Sequence, residues 1–236
     1  MHYIFALLIM LSIFFLILLF AKRMDRVNIV NFIFTVCIFV PYLIRIIMIG
    51  YDVGWTDWNF LNTLPTANVS PFMFFMVPFL LVMPEKIKKR IYLLVAMTCV
   101  GMFAACVLDC IRLTMVHYRL NWLFICDQFC HMALAAWGVY LVKSNQVNVG
   151  FCSCLKSGSI LVGVALFMLG VNIIFETSFF GLSLKGKHNI YLMVLVDNSY
   201  LSAPIYFAGL ISVLAMGYGV LRMLKGKALP ENTSIS

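Results

Sequence analysis

The stretch from Asn121 to Val142, NWLFICDQFCHMALAAWGVYLV, constrains this chain more than any other. It is long and apolar enough to cross a bilayer, yet Asp127 and His131 lie four residues apart in its first half, with Gln128 between them. At helical spacing Asp127 and His131 share one face. An ionised carboxylate at the centre of a spanning helix costs about 2.5 kcal/mol or more unless something pairs with it or wets it. That face must therefore look into protein, and other helices must supply its partners.

The rest of the chain supplies them. It is 64% hydrophobic and 11% charged, where a soluble domain is roughly half apolar and a quarter charged. Its 236 residues suffice for about seven helices of roughly 20 residues and short loops, with no length left for a soluble domain. The apolar spans fall at 3–21, 27–49, 65–83, 91–116, 121–142, 158–180 and 190–221. The first is expected to stay attached, since no Lys or Arg precedes it and no small-residue cleavage site follows it. The seventh is long, and Pro204 is expected to kink it or split off a re-entrant piece. The expectation is an all-α, polytopic membrane helical bundle: one seven-helix transmembrane domain over 1–227 and a short cytoplasmic tail, 228–236.

Charge placement orients the bundle. Of the 17 Lys and Arg, 12 lie in the alternate connections 22–26, 84–90, 143–157 and 222–236, and only Arg119, Lys185 and Lys187 lie in the others. By the positive-inside rule the N-terminus is outside and the C-terminus inside, as expected of a multi-pass protein of the cell membrane. The net charge of +8 is thus carried by basic loops, and no nucleic-acid partner is read from it. Of the eight cysteines, Cys37, Cys99, Cys106, Cys110, Cys126 and Cys130 fall inside spans, while Cys152 and Cys154 fall in a loop assigned to the cytoplasm. Free thiols are expected, and neither a metal nor a cofactor is implied.

Arg45, Asp109, Arg112, Asp127, Glu176 and Asp197 remain inside the spans. At about 1.5 Å per residue, Arg45 and Asp109 lie roughly 27 Å from the inner start of their spans and Glu176 roughly 26 Å. Asp127 lies about 9 Å below the outer surface and His131 about 15 Å below it. Most of the polar side chains, Asn68 among them, thus group in the outer half, as one cavity floored by His131 would require. Asp109 and Arg112 either line that cavity or neutralise each other at i, i+3. Arg45 either lines it or snorkels to the outer headgroups. Asp197 reads as solvated near the surface. Asp127 is expected to contact Arg45 or Arg112, and to fix the tautomer of His131.

Four short motifs add a likeness. Leu64-Pro-Thr-Ala-Asn-Val-Ser-Pro-Phe72 opens the third span, and Val171-Asn-Ile-Ile-Phe175, Asn189-Ile-Tyr-Leu-Met193 and Ala203-Pro-Ile-Tyr206 follow in order. With His131 in the fifth span, this order resembles the YwaF-like integral membrane family, whose vertebrate relatives include a transmembrane phospholipid acyltransferase. The resemblance covers roughly residues 64–208. It implies a seven-helix bundle with a pocket to which His131, Asn172 and Asn68 contribute. The acyltransferase relatives are thought to carry the acyl group on a cysteine after Leu-Pro; here Ala67 and Val69 stand where the family has His and Cys.

Three functions fit these residues. One is a lipid-active enzyme with His131 and Asp127 as the catalytic pair, and Arg45, Asn68, Asp109, Arg112, Asn172 and Glu176 binding a lipid headgroup or small polar ligand. Another is a transporter or substrate-capture component, in which Asp127 or Glu176 relays protons. The third is a non-catalytic receptor or assembly partner among membrane lipids.

Overall fold

The computed structural model describes residues 11–12, 15, 19, 27–55, 64, 69–115, 122–175 and 199–225. Among these there is no strand. The helices are α1 (Val27–Val53), α2 (Val69–Met76), α3 (Glu85–Met115), α4 (Trp122–Lys143), α5 (Phe151–Phe175) and α6 (Ser199–Lys225), with a 3-10 turn at Pro78–Leu81. Five of them, all but α2, are long and apolar enough to cross a membrane. This is the arrangement of a multi-pass membrane protein. Most of the first expected span, and 190–198 of the seventh, lie outside the described residues.

The faces follow from lipid as the solvent. On α1, Val30, Phe34, Ile38 and Tyr42 recur every fourth residue and are buried, while Phe32, Ile33, Val40, Ile44 and Ile47 on the other side are exposed. A helix with exposed aliphatic residues along its whole outer face suits hydrocarbon rather than water. α4 differs in kind. From Cys130 to Val142 every residue except Val139 is buried, so α4 is the central post, packed most extensively against α3 and then α1. α6 packs on α3 and, less extensively, on α4 and α5, and α5 packs chiefly on α3.

Small residues set how closely the posts stand. A Cβ on Gly138 would come within 2.7 Å of Cys99 Cβ and 3.1 Å of Ala96 Cα, so α4 lies nearly backbone-to-backbone on α3. A Cβ on Gly217 would fall on the Met97 carbonyl, and one on Gly101 would meet Val213 Cγ1 at 2.6 Å. Lipid tails are as apolar as leucine, so helices associate in membranes by this kind of close van der Waals approach.

Several boundaries correct the sequence expectations. The run Glu85–Arg90 is not a loop but the first turns of α3. The Pro84 carbonyl accepts the amides of Ile87 and Lys88 at 3.0 and 2.9 Å, and Glu85 in the first turn pairs with Lys88 at 2.6 Å. Cys152 and Cys154 are likewise on a helix, the first turn of α5, with Cys154 buried and Cys152 exposed. None of the eight cysteines is in a disulfide. The described part of the third span is α2 and the 3-10 turn rather than one continuous helix. Pro78 has no N–H for the Phe74 carbonyl one turn earlier, so the α-helical ladder stops there. α6 runs through Pro204 without splitting and reaches Lys225, four residues past the expected end and the last described residue.

Gly217→Leu should place a side chain into the α3 backbone and lower stability by about 1–3 kcal/mol. Thermal unfolding of the detergent-solubilised chain measures this, with the exposed Gly219→Leu as a control that should unfold close to wild type.

Candidate functional site

α4 presents Asp127 toward α1, and α1 answers with Arg45. Arg45 Nη1 lies 2.6 Å from Asp127 Oδ1, with the two side chains 20% and 17% exposed. This is the arginine contact expected for Asp127, made by Arg45. Both charges are mostly out of solvent, so breaking the pair strands whichever partner remains. Arg45 Nε is buried and has no hydrogen-bond partner among the described residues.

The relation between Asp127 and His131 differs from the one expected. His131 Nδ1 is 2.8 Å from the main-chain oxygen of Asp127 and 3.8 Å from its carboxylate. The carbonyl one turn back can only accept, so Nδ1 donates to it, and in the neutral ring this leaves the lone pair on Nε2. The carboxylate itself is held by Arg45. Phe74 of α2 packs edge-on to the imidazole, centroids 5.0 Å apart at 89°, and Tyr42 of α1 packs on Phe74 at 5.7 Å. His131 is 7% exposed. Nearby, the Cys130 thiol donates to the Ile38 carbonyl at 3.3 Å, which ties it into the α1–α4 contact.

The other expected site residues divide into two groups. Asn68 and Glu176 lie outside the described residues, as do the side chains of Asp109 and Arg112, whose backbone is within α3. Asn172 is buried on α5, which packs chiefly on α3 and α6. The contacts described thus join Arg45, Asp127 and His131. Among the described residues no three His, Cys, Asp or Glu side chains gather as a metal site requires.

A second polar cluster was not anticipated. Trp137 Nε1 donates to Asn31 Oδ1 at 3.0 Å, Asn31 Nδ2 donates to Gln146 Oε1 at 2.7 Å, and Gln146 Nε2 donates to Ser144 Oγ at 2.7 Å. Trp137 and Asn31 are 0% and 5% exposed. Asn31 lies 14 residues before Arg45, roughly 21 Å away along α1, so polar contacts occupy both ends of the α1–α4 seam. The helix end builds this cluster. Asn145 takes φ 54°, the Gln146 amide reaches back to the Leu141 carbonyl at 3.0 Å, and the Asn145 amide to that of Val142 at 3.1 Å. This left-handed stop closes α4 and turns Gln146 toward α1. Asn31 and Gln146 read in sequence as ordinary polar residues near span ends. The one local sign of the turn is Asn145, three residues past Val142, an asparagine where the left-handed conformation is needed.

The chain matches no family model, no curated protein and no solved structure.

Arg45→Ala and Asp127→Ala should each destabilise the chain by about 3 kcal/mol, with the double variant less affected than the sum of the two. Chemical denaturation of the four proteins in detergent measures the coupling. Asn31→Ala should cost about 1–3 kcal/mol by leaving the Trp137 N–H without its acceptor.

Proposed function

We propose that the chain crosses the cell membrane seven times, with its N-terminus outside, and that Arg45, Asp127 and His131 form an outer-half site for the anionic group of a lipid or small polar solute. The observation that carries this reading is the state of Arg45. Its Nη1 is anchored on Asp127 while its buried Nε has no described acceptor, so the guanidinium is oriented and keeps donors for a phosphate or carboxylate. His131 supports the reading from below. Its proton is held on Nδ1 by the Asp127 carbonyl, so Nε2 is an acceptor that could serve as a base.

Acyl transfer to or from a lipid is the chemistry suggested by the likeness to the YwaF-like family. In such a step His131 Nε2 takes the proton of an acceptor hydroxyl as its oxygen attacks the acyl carbonyl carbon. The proton then passes to the departing oxygen or sulfur as the old acyl bond breaks. The resemblance in 64–72 and 171–206 supports this choice, and no cysteine carrier is needed for it. The Arg45–Asp127 contact also supports a second reading, capture or transport of a small anion: protonating Asp127 would loosen its hold on Arg45 and couple binding to a proton.

Membrane lipids from deletion, wild-type, Arg45→Ala and His131→Ala cells, compared by mass spectrometry, separate these. A lipid acyltransferase predicts that His131→Ala reproduces the deletion profile at wild-type protein levels. An unchanged profile in the deletion removes the enzyme reading. Solute uptake lost in Asp127→Asn would then favour transport.

A further inference from the structure

The end of the bundle remote from Arg45 gathers cations from two helices. Gly101 packs against Val213, and Met97 against Gly217. Continuing both antiparallel helices in steps of four residues sets Leu93 level with Leu221, and Lys89 level with Lys225. Lys86, Lys89, Arg90, Leu93 and Met97 share the face of α3 that looks toward α6. Lys143 Nζ donates to the Leu224 carbonyl at 2.7 Å, so the last residue of α4 closes the last turn of α6 at this level. Arg222 is held in the same turn. Its Nη1 donates to the Tyr218 hydroxyl at 2.9 Å, and its Cζ lies 5.9 Å from that ring's centroid.

Lys89, Arg90, Arg222 and Lys225 are all exposed. Among the described residues the one acid at this end is Glu85, and Lys88 already holds it. Cations brought to one level without a carboxylate between them repel one another. Ile87 and Met223, in the same turns, are 48% and 75% exposed, so apolar surface begins beside the charges. A soluble anion has no use for that neighbouring surface, whereas a lipid has both a phosphate and chains.

We propose that Lys89, Arg90, Arg222 and Lys225 form a seat for the headgroup of an anionic phospholipid, with its chains running from Ile87 and Met223 along the bundle. The seat rests on the membrane-crossing part of the proposed function and not on the outer-half site. The negative surface of a leaflet attracts juxtamembrane cations, and each contributes about a fivefold gain in affinity. Here the helix register, rather than a disordered tail, holds them together.

The test is the full chain in nanodiscs of phosphatidylcholine with a minor fraction of phosphatidylglycerol, its retained lipids counted by native mass spectrometry. Wild type should hold phosphatidylglycerol well above its bulk fraction. Lys89→Gln/Arg90→Gln/Arg222→Gln/Lys225→Gln should bring it down to that fraction, while Lys156→Gln should not. Asp127→Asn should leave the enrichment intact, so failure of the outer-half site and failure of this seat are seen separately. No enrichment in wild type, or enrichment unchanged in the fourfold variant, overturns the proposal. If the fourfold variant does not fold, salt replaces it: enrichment on wild type must fall as ionic strength rises, and salt-independent retention overturns the seat. Displacement by inorganic phosphate at constant ionic strength would assign the cations to a soluble anion and also overturn it.

Discussion

Close approach of backbones holds this bundle together. In hydrocarbon there is no water to drive leucines toward each other, so helices must gain from interlocking. Gly138 against Ala96 and Cys99, and Gly217 against Met97, bring α4 and α6 onto α3 at distances that a side chain would forbid. The remaining contacts depend on that spacing. Trp137, fully buried, fits between Phe34 at 6.1 Å and Tyr92 at 5.4 Å.

Polar contacts then fix the register of α1 along α4. Arg45 with Asp127 pins one end and Asn31 with Trp137 and Gln146 pins the other. Apolar packing alone tolerates a slide by one turn, because aliphatic ridges repeat every three or four residues. Two polar pairs about 21 Å apart do not, because a slide would leave each of them stranded. The same restraint holds the oriented arginine and the imidazole to which a function is proposed.

How much of this could be read beforehand depends on which force dominated each element. The extent of α4 was legible to within one residue at either end, because hydrophobicity alone sets a spanning helix. The Arg45–Asp127 contact was legible because two opposite charges in oil have few alternatives. The run Glu85–Arg90 was misread as a loop because charge was taken as a sign of solvent. Glu, Lys and Arg are good helix formers, and a helix can continue past the hydrocarbon into water. The carbonyl contact to His131 was hidden because sequence shows side chains and not the backbone acceptor four residues back. Asn31 and Gln146 lie 115 positions apart, and nothing local joins them until a left-handed Asn145 turns the chain.

The break at Pro78 has a consequence for biogenesis. Phe74 sits at the depth of His131, and its carbonyl has been deprived of the amide that would normally close the turn. Left among lipid tails, that oxygen would cost several kcal/mol. Val77 and Leu80 beside it are buried, Val77 fully and Leu80 to 1% exposure, and the segment leans on α1 and α4. Yet α4 is synthesised after it, with α3 in between. The segment formed by α2 and the 3-10 turn therefore completes its shelter only once α4 has followed it into the membrane.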